Sequence, residues 1–128
     1  METMRLAADG DAPLVNFPAL LKYLDGDFDL LKEIFRLFQE SSPKKLTELN
    51  SAFHQKDALA VQRTAHALKG AIANFFSPAC LESAVRLEAC AATRDWEAMR
   101  REYRIFENLI REFEYYVADY LTTQAATA

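Results

Sequence analysis

The chain predicts an all-α fold: an antiparallel four-helix bundle with one or two additional short N-terminal helices. Three observations carry this. Apolar residues recur at steps of three and four through every long segment, the period of an amphipathic helix. No segment alternates apolar and polar residues as a half-buried strand does. The breaks between segments carry helix-capping residues such as Asp57 and Asp95. At 128 residues the chain is about one domain, long enough for a single core.

The elements follow in order. Residues 1–13 read as a flexible N-terminus, 14–121 as the bundle and 122–128 as a flexible tail. "NFPALLKYL" is a short helix closed by "DGD" at 25–27. The next run carries Phe28, Leu31, Phe35 and Phe38, with Leu30 and Ile34 widening the same face. "SSP" at 41–43 predicts a stop, with Ser42 capping a further helix and Pro43 at its first position. That helix shows Leu46, Leu49 and Phe53. Asp57 caps the next one, and "SP" at 77–78 separates it from a helix with Cys80, Ala84, Leu87 and Ala91 in register. In the last helix Trp96, Met99, Tyr103, Phe106, Ile110, Phe113, Val117 and Tyr120 alternate by three and four without a slip. Such regularity fits a long helix in an antiparallel bundle.

Bulk chemistry excludes several functions. A formal net charge of −4 argues against nucleic acid as the main partner. The segment "RREYRIFENLIREFEYY" mixes arginine with aromatics, but Tyr103, Phe106 and Phe113 belong to the core stripe and Glu107, Glu112 and Glu114 dilute the charge, so it reads as a solvated helix face. No apolar run of about 18 residues exists to span a membrane, and the N-terminus lacks a secretory pattern. A cytoplasmic location is expected, with Cys80 and Cys90 as free thiols. No metal site is expected: His54 and His66 are distant in sequence, and CxxC and HExxH patterns are absent. His54 stands near a helix end, where an imidazole suits the dipole.

The segment "RTAHALKGAIANF" is the exception to this ordinary picture. Gly70 lies inside a helical pattern, where glycine costs about 1 kcal/mol relative to alanine. The apolar residues Val61, Ala65, Leu68, Ile72 and Phe75 cluster within about 80°, and His66 lies about 140° from their centre. His66 therefore faces out of the bundle, with Gln62, Lys69, Gly70 and Ala73 on its side of the helix. A neutral imidazole is a competent nucleophile near pH 7. Gly70 and Ala73 leave room for a phosphoryl group, and the Lys69 ammonium is placed to offset its charge. The chain has no Gly-rich nucleotide loop. His66 is thus expected to receive and pass on a phosphoryl group without autonomous ATP-dependent kinase activity.

At these residues the chain resembles a known family. "AHALKGAIAN", with Ala65, His66, Leu68, Lys69, Gly70 and Asn74, is similar to the signature of histidine-containing phosphotransfer (HPt) domains. Leu87 and Glu88 resemble a pair common on that family's next helix, and "GDFDLLKEIFRLF" looks like its second helix. The resemblance implies a relay: His66 accepts a phosphoryl group from a receiver-domain aspartate of a response regulator or hybrid sensor kinase and passes it to another receiver. It implies that Lys69 neutralises charge, that Gly70 gives access, and that Gln62, Arg63, Ala73 and Asn74 border the binding surface. No cofactor is expected on this chain, and Mg²⁺ is expected on the partner receiver. A monomer is the default, and the initial methionine favours a free-standing protein over a domain of a larger kinase. Phe76 stands where the family has a glycine and Ala71 where it often has a serine, which puts the end of the motif helix and the docking edge at issue. Phe76 should prolong that helix or pack at its end. The competing reading is a helical module that docks a receiver or kinase without being phosphorylated.

Overall fold

The computed structural model describes residues 13–127. The flexible segment expected at 1–13 falls, apart from Pro13, outside the described residues. Five helices follow one another: α1 (Phe17–Tyr23), α2 (Phe28–His54), α3 (Ala58–Ala73), α4 (Pro78–Ala92) and α5 (Trp96–Thr127). Among the described residues there is no β-strand. Helices α2 to α5 form the bundle, and α1 is the one short addition.

Three of the connections share one construction. Asp25, Lys56 and Arg94 take the left-handed conformation, with φ of 56°, 58° and 59°. The next backbone N–H then donates back across the helix end: Gly26 to Leu21, Asp57 to Ala52, and Asp95 to Cys90. This closes the orphan carbonyls of a helix C-terminus. The aspartate at or after that point caps the following helix. Asp27 accepts from the Leu30 N–H at 2.9 Å, Asp57 from Ala60 at 3.0 Å and Asp95 from Ala98 at 3.1 Å. Asn16 does the same for α1, accepting from Ala19 at 3.1 Å. Each turn therefore stops one helix and starts the next within three or four residues, and such short connections make α2 and α3, and α4 and α5, antiparallel neighbours.

The stop expected at "SSP" does not occur. α2 runs straight through Pro43, and Ser42 is no cap. It is buried, and its Oγ donates to Glu114 Oε2 on α5 at 2.8 Å. The physical reason is phase. Leu31, Phe35, Phe38, Ser42, Leu49 and Ala52 form one buried stripe that never changes register. Packing along the whole stripe outweighs the one backbone hydrogen bond that proline forfeits. Leu30, expected on the buried face, is 41% exposed.

The core is aromatic at its centre. Phe38, Phe75 and Phe113 meet edge to face with centroids 5.2–5.5 Å apart, the favoured geometry for such rings. Phe17 of α1 stacks on Tyr120 at 3.7 Å, which ties the short helix to α5. That contact lies near the expected boundary at Leu121, yet α5 continues to Thr127. Nothing in "TTQAAT" breaks a helix, since it contains neither glycine nor proline.

Candidate functional site

α3 begins at its Asp57 cap and buries Ala58, Val61, Ala65, Leu68 and Ile72. This is the stripe anticipated from spacing, and it turns His66 outward. The His66 side chain is 66% exposed. α4 packs against α3, burying Cys80, Ala84, Leu87 and Ala91 on its own inner face. Antiparallel packing brings Glu88, one residue past Leu87, to the flank of His66.

Glu88 joins the site together. Its Oε2 lies 2.9 Å from His66 Nδ1, and its Oε1 lies 3.0 Å from Lys69 Nζ. The Lys69 hydrogen bond holds the Glu88 carboxyl below its ordinary value; partial burial works against this, and the His66 bond adds to it. An ionised carboxylate only accepts hydrogen bonds. Nδ1 must therefore carry the hydrogen, and in the neutral ring the lone pair sits on Nε2. Nε2 has no hydrogen-bond partner among the described residues. The arrangement presents a tautomerically defined imidazole to an incoming group, with an ammonium beside it.

Sequence reasoning noticed Glu88 only through the Leu87–Glu88 pair and assigned it no role. The signal that could have found it is its offset from the α4 stripe: it follows the buried Leu87 directly, at the border facing α3. Which residue of α3 it meets depends on helix register.

Gly70 sits in open space. No neighbouring heavy atom lies within 4 Å of where a β-carbon would be, and its φ is not in the left-handed range. A methyl group here would not touch the His66 ring. Ala73 is exposed on the same side of α3 as His66, Arg63 is exposed and Gln62 half-buried; these residues make no hydrogen bond with the imidazole, whose polar partner is Glu88. Asn74 is the C-cap of α3. It lines a shallow hollow with Ile34, Leu37 and Ala71 toward α2, away from Glu88.

The turn after α3 settles the departure at Phe76. Helix α3 ends at Ala73 and is not prolonged. Phe76 takes φ 54°, the conformation glycine adopts without cost. Its half-buried ring packs against the core and lies 5.6 Å from Tyr23. Its carbonyl accepts from Asn16 N–H at 2.9 Å. Docking of α1 onto this turn supports a conformation that a bulky residue rarely takes.

A helical bundle with an outward-facing histidine braced by a carboxylate from the adjacent helix is the class defined by fold and site together. The family model for the Hpt domain matches residues 33–119, so the chain belongs to the Hpt domain family and has the histidine phosphotransfer role in phosphorelays that goes with receiver domains of response regulators. Among solved structures, histidine-containing phosphotransfer protein B from Pseudomonas aeruginosa PAO1 is similar in fold, with a TM-score of 0.60 and 24% identity over 81% of this chain and 96% of that one. No curated protein sequence matches the chain. No helix among the described residues is long and apolar enough to cross a membrane, and they hold no cluster of three or more potential metal ligands.

Proposed function

We propose that His66 is the phosphoryl acceptor and donor of this domain, with Glu88 and Lys69 as its supporting groups. The observation that carries this is the shared carboxylate, which holds Nδ1–H and leaves the Nε2 lone pair facing outward. The Nε2 pair attacks phosphorus of an aspartyl phosphate on a docked receiver. A P–N bond forms, the P–O bond to the aspartate breaks, and the aspartate leaves as carboxylate with the bonding pair. No proton has to move. Nδ1 keeps its hydrogen, and the positive charge that develops on the ring lies against Glu88. The reverse reaction loads a second receiver.

Lys69 holds Glu88 with one of its three donors, and the others are available to a phosphoryl oxygen. Gly70 and Ala73 give in-line access. Leu59 and Val85, 49% and 45% exposed, supply apolar area near the imidazole for the docked protein: Leu59 lies two turns before His66 on the same face of α3, and Val85 lies about one turn before Glu88 on α4. Gln62, Arg63 and Asn74 border that surface. The chain works as a phosphocarrier and binds no cofactor of its own; Mg²⁺ belongs to the receiver, which also supplies the remaining catalytic groups. The donor is a receiver of a hybrid sensor kinase or response regulator, the chain acts as a monomer, and the reaction takes place in the cytoplasm.

The test is transfer from pre-phosphorylated receivers to the wild type and to His66→Gln. Acid-labile, alkali-stable label on the wild type alone is the expected result. A receiver that binds both proteins and labels neither would assign the surface to docking without transfer.

A further inference from the structure

Arg100 and Arg104 of α5 border a groove away from His66. A groove of about 620 Å³ opens between the C-terminal half of α2 and the first half of α5, a volume within the usual range for small-molecule sites, about 300–1,000 Å³. Neither helix contributes to the His66, Lys69 and Glu88 constellation. Arg100 and Arg104 lie one turn apart on the rim, about 6 Å along the axis, and both also border an adjoining hollow on the outer side of α5. Neither has a carboxylate partner among the described residues. In a chain of net charge −4, two adjacent unpaired guanidiniums on the rim of one groove are a local reversal of sign.

The remaining lining is donor-rich over an aromatic wall. Phe53 and Tyr103 stack with centroids 5.5 Å apart and planes inclined by 11°, and the Arg100 guanidinium lies over Phe53 at 5.8 Å. Two acceptors in the groove are already used. Asn50 Oδ1 takes the Tyr103 hydroxyl at 3.1 Å, and the Asn50 carbonyl engages His54 Nδ1 at 2.9 Å. The second contact fixes the His54 hydrogen on Nδ1, since a carbonyl only accepts. The one carboxylate in the lining, Glu107, is paired with Arg111 at 3.2 Å, which leaves Arg100 and Arg104 as the uncompensated charge.

We propose that this groove binds a phosphate-bearing small molecule of nucleotide size, with Arg100 and Arg104 on the phosphate and the Phe53–Tyr103 pair beside its ring. Planar guanidiniums match phosphate oxygens in bidentate geometry, and a ring wall with a cation above it suits a planar group. The footprint is too short and too rich in donors for a purely apolar ligand.

The experiment is a titration of the intact ¹⁵N-labelled chain, followed by amide shifts, with magnesium-free ADP, inorganic phosphate and adenosine as probes. ADP is expected to give saturable shifts around Asn50, Phe53 and Tyr103. An Arg100→Ala/Arg104→Ala variant, altered only at exposed positions, is expected to bind at least about tenfold more weakly, the loss of about one charge-assisted contact. His66→Gln is expected to bind as the wild type does, so the result is independent of the relay chemistry. Equal affinity for inorganic phosphate would keep the phosphate site and remove the ring contact. Absence of saturation by ADP and phosphate at about 10 mM, a Kd scale too weak to be specific, overturns the proposal. So does undiminished binding by the folded double variant, or adenosine binding as well as ADP. Saturation by an oligoglutamate peptide with none by ADP also overturns it and reassigns the groove to an acidic protein segment.

Discussion

Glu88 of α4 accepts the Nδ1–H of His66 across the α3–α4 interface at 2.9 Å, while its other oxygen holds Lys69 at 3.0 Å. One carboxylate thus fixes the tautomer of the ring and the position of the neighbouring cation. The substitution Glu88→Gln keeps the shape and removes the charge. A hydrogen bond to a charged group is worth about 1.5–3 kcal/mol. Loss of its lower value in the transition state slows phosphoryl transfer about tenfold. The same variant should also show a mixed Nδ1/Nε2 tautomer by imidazole ¹⁵N shifts. An unchanged rate with an unchanged tautomer would make Glu88 a bystander.

The same contact makes a prediction about acid. The Glu88 carboxyl is depressed in the folded chain, chiefly by the Lys69 hydrogen bond. A depressed carboxylate contributes stability that is present above its unfolded pKa, about 4.3. That contribution is lost as pH falls through the lower folded value. Wild type should therefore exceed Glu88→Gln in urea midpoint at pH 7, and the gap should close as the pH is lowered through the depressed folded value. A gap that persists in acid would show that the carboxylate charge is not its source.

Gly70 separates stability from function. Nothing in the chain approaches a β-carbon at this position, so Gly70→Ala is accommodated and should stabilise α3 by about 1 kcal/mol. Transfer should move the other way, because the methyl group intrudes on the space a docked receiver needs. Thermal unfolding and transfer rate measured on one preparation decide it. A variant both more stable and fully active would leave the glycine without a role in access.

The outward direction of His66 was legible before any coordinates, because Val61, Ala65, Leu68 and Ile72 define the buried side of α3 by angle alone. Two features were not. The partnership with Glu88 depends on how far α4 is shifted along α3, and each stripe reports its own face without its neighbour's register. Continuity through Pro43 was present as an unbroken phase from Phe38 to Leu49. The local stop signal of "SSP" outweighed it in the reading, as tertiary packing outweighs it in the molecule. Phe76 is a third case. Its left-handed φ rests on Asn16 and Tyr23, residues more than fifty positions earlier.

The two thiols should behave differently. Cys80 is buried, and its Sγ faces the Leu109 carbonyl at 3.7 Å; desolvation pushes its pKa up to about 11. Cys90 is half-buried, and desolvation raises it too. Because the thiolate is the reactive form, a disulfide-exchange reagent at pH 8 should modify Cys90 slowly and Cys80 only on unfolding. Mass spectrometry of the labelled peptides reads both rates. Early labelling of Cys80 in folded protein would contradict the packing of α4 on α5.

Arg94 offers a direct route to a more stable chain. It follows the C-cap of α4 at φ 59°, a conformation that costs a non-glycine residue about 1–2 kcal/mol. Its side chain is exposed and has no ion pair among the described residues, so little is lost with it. Its backbone N–H, donated to Ala91 at 3.1 Å, is kept by glycine. Arg94→Gly should therefore gain about 0.5–1 kcal/mol, reduced from the full strain by the greater freedom of glycine in the unfolded chain. For a domain of this size that is a rise in Tm of about 2–5 °C. Lys56 takes the same φ but lies over the Trp96 ring at 5.2 Å. Lys56→Gly should gain less, since the relief of strain is offset by the lost cation–π contact. Equal gains at both positions would mean that the Trp96 contact contributes nothing, and a loss at Arg94 would show that the turn between α4 and α5 depends on its side chain.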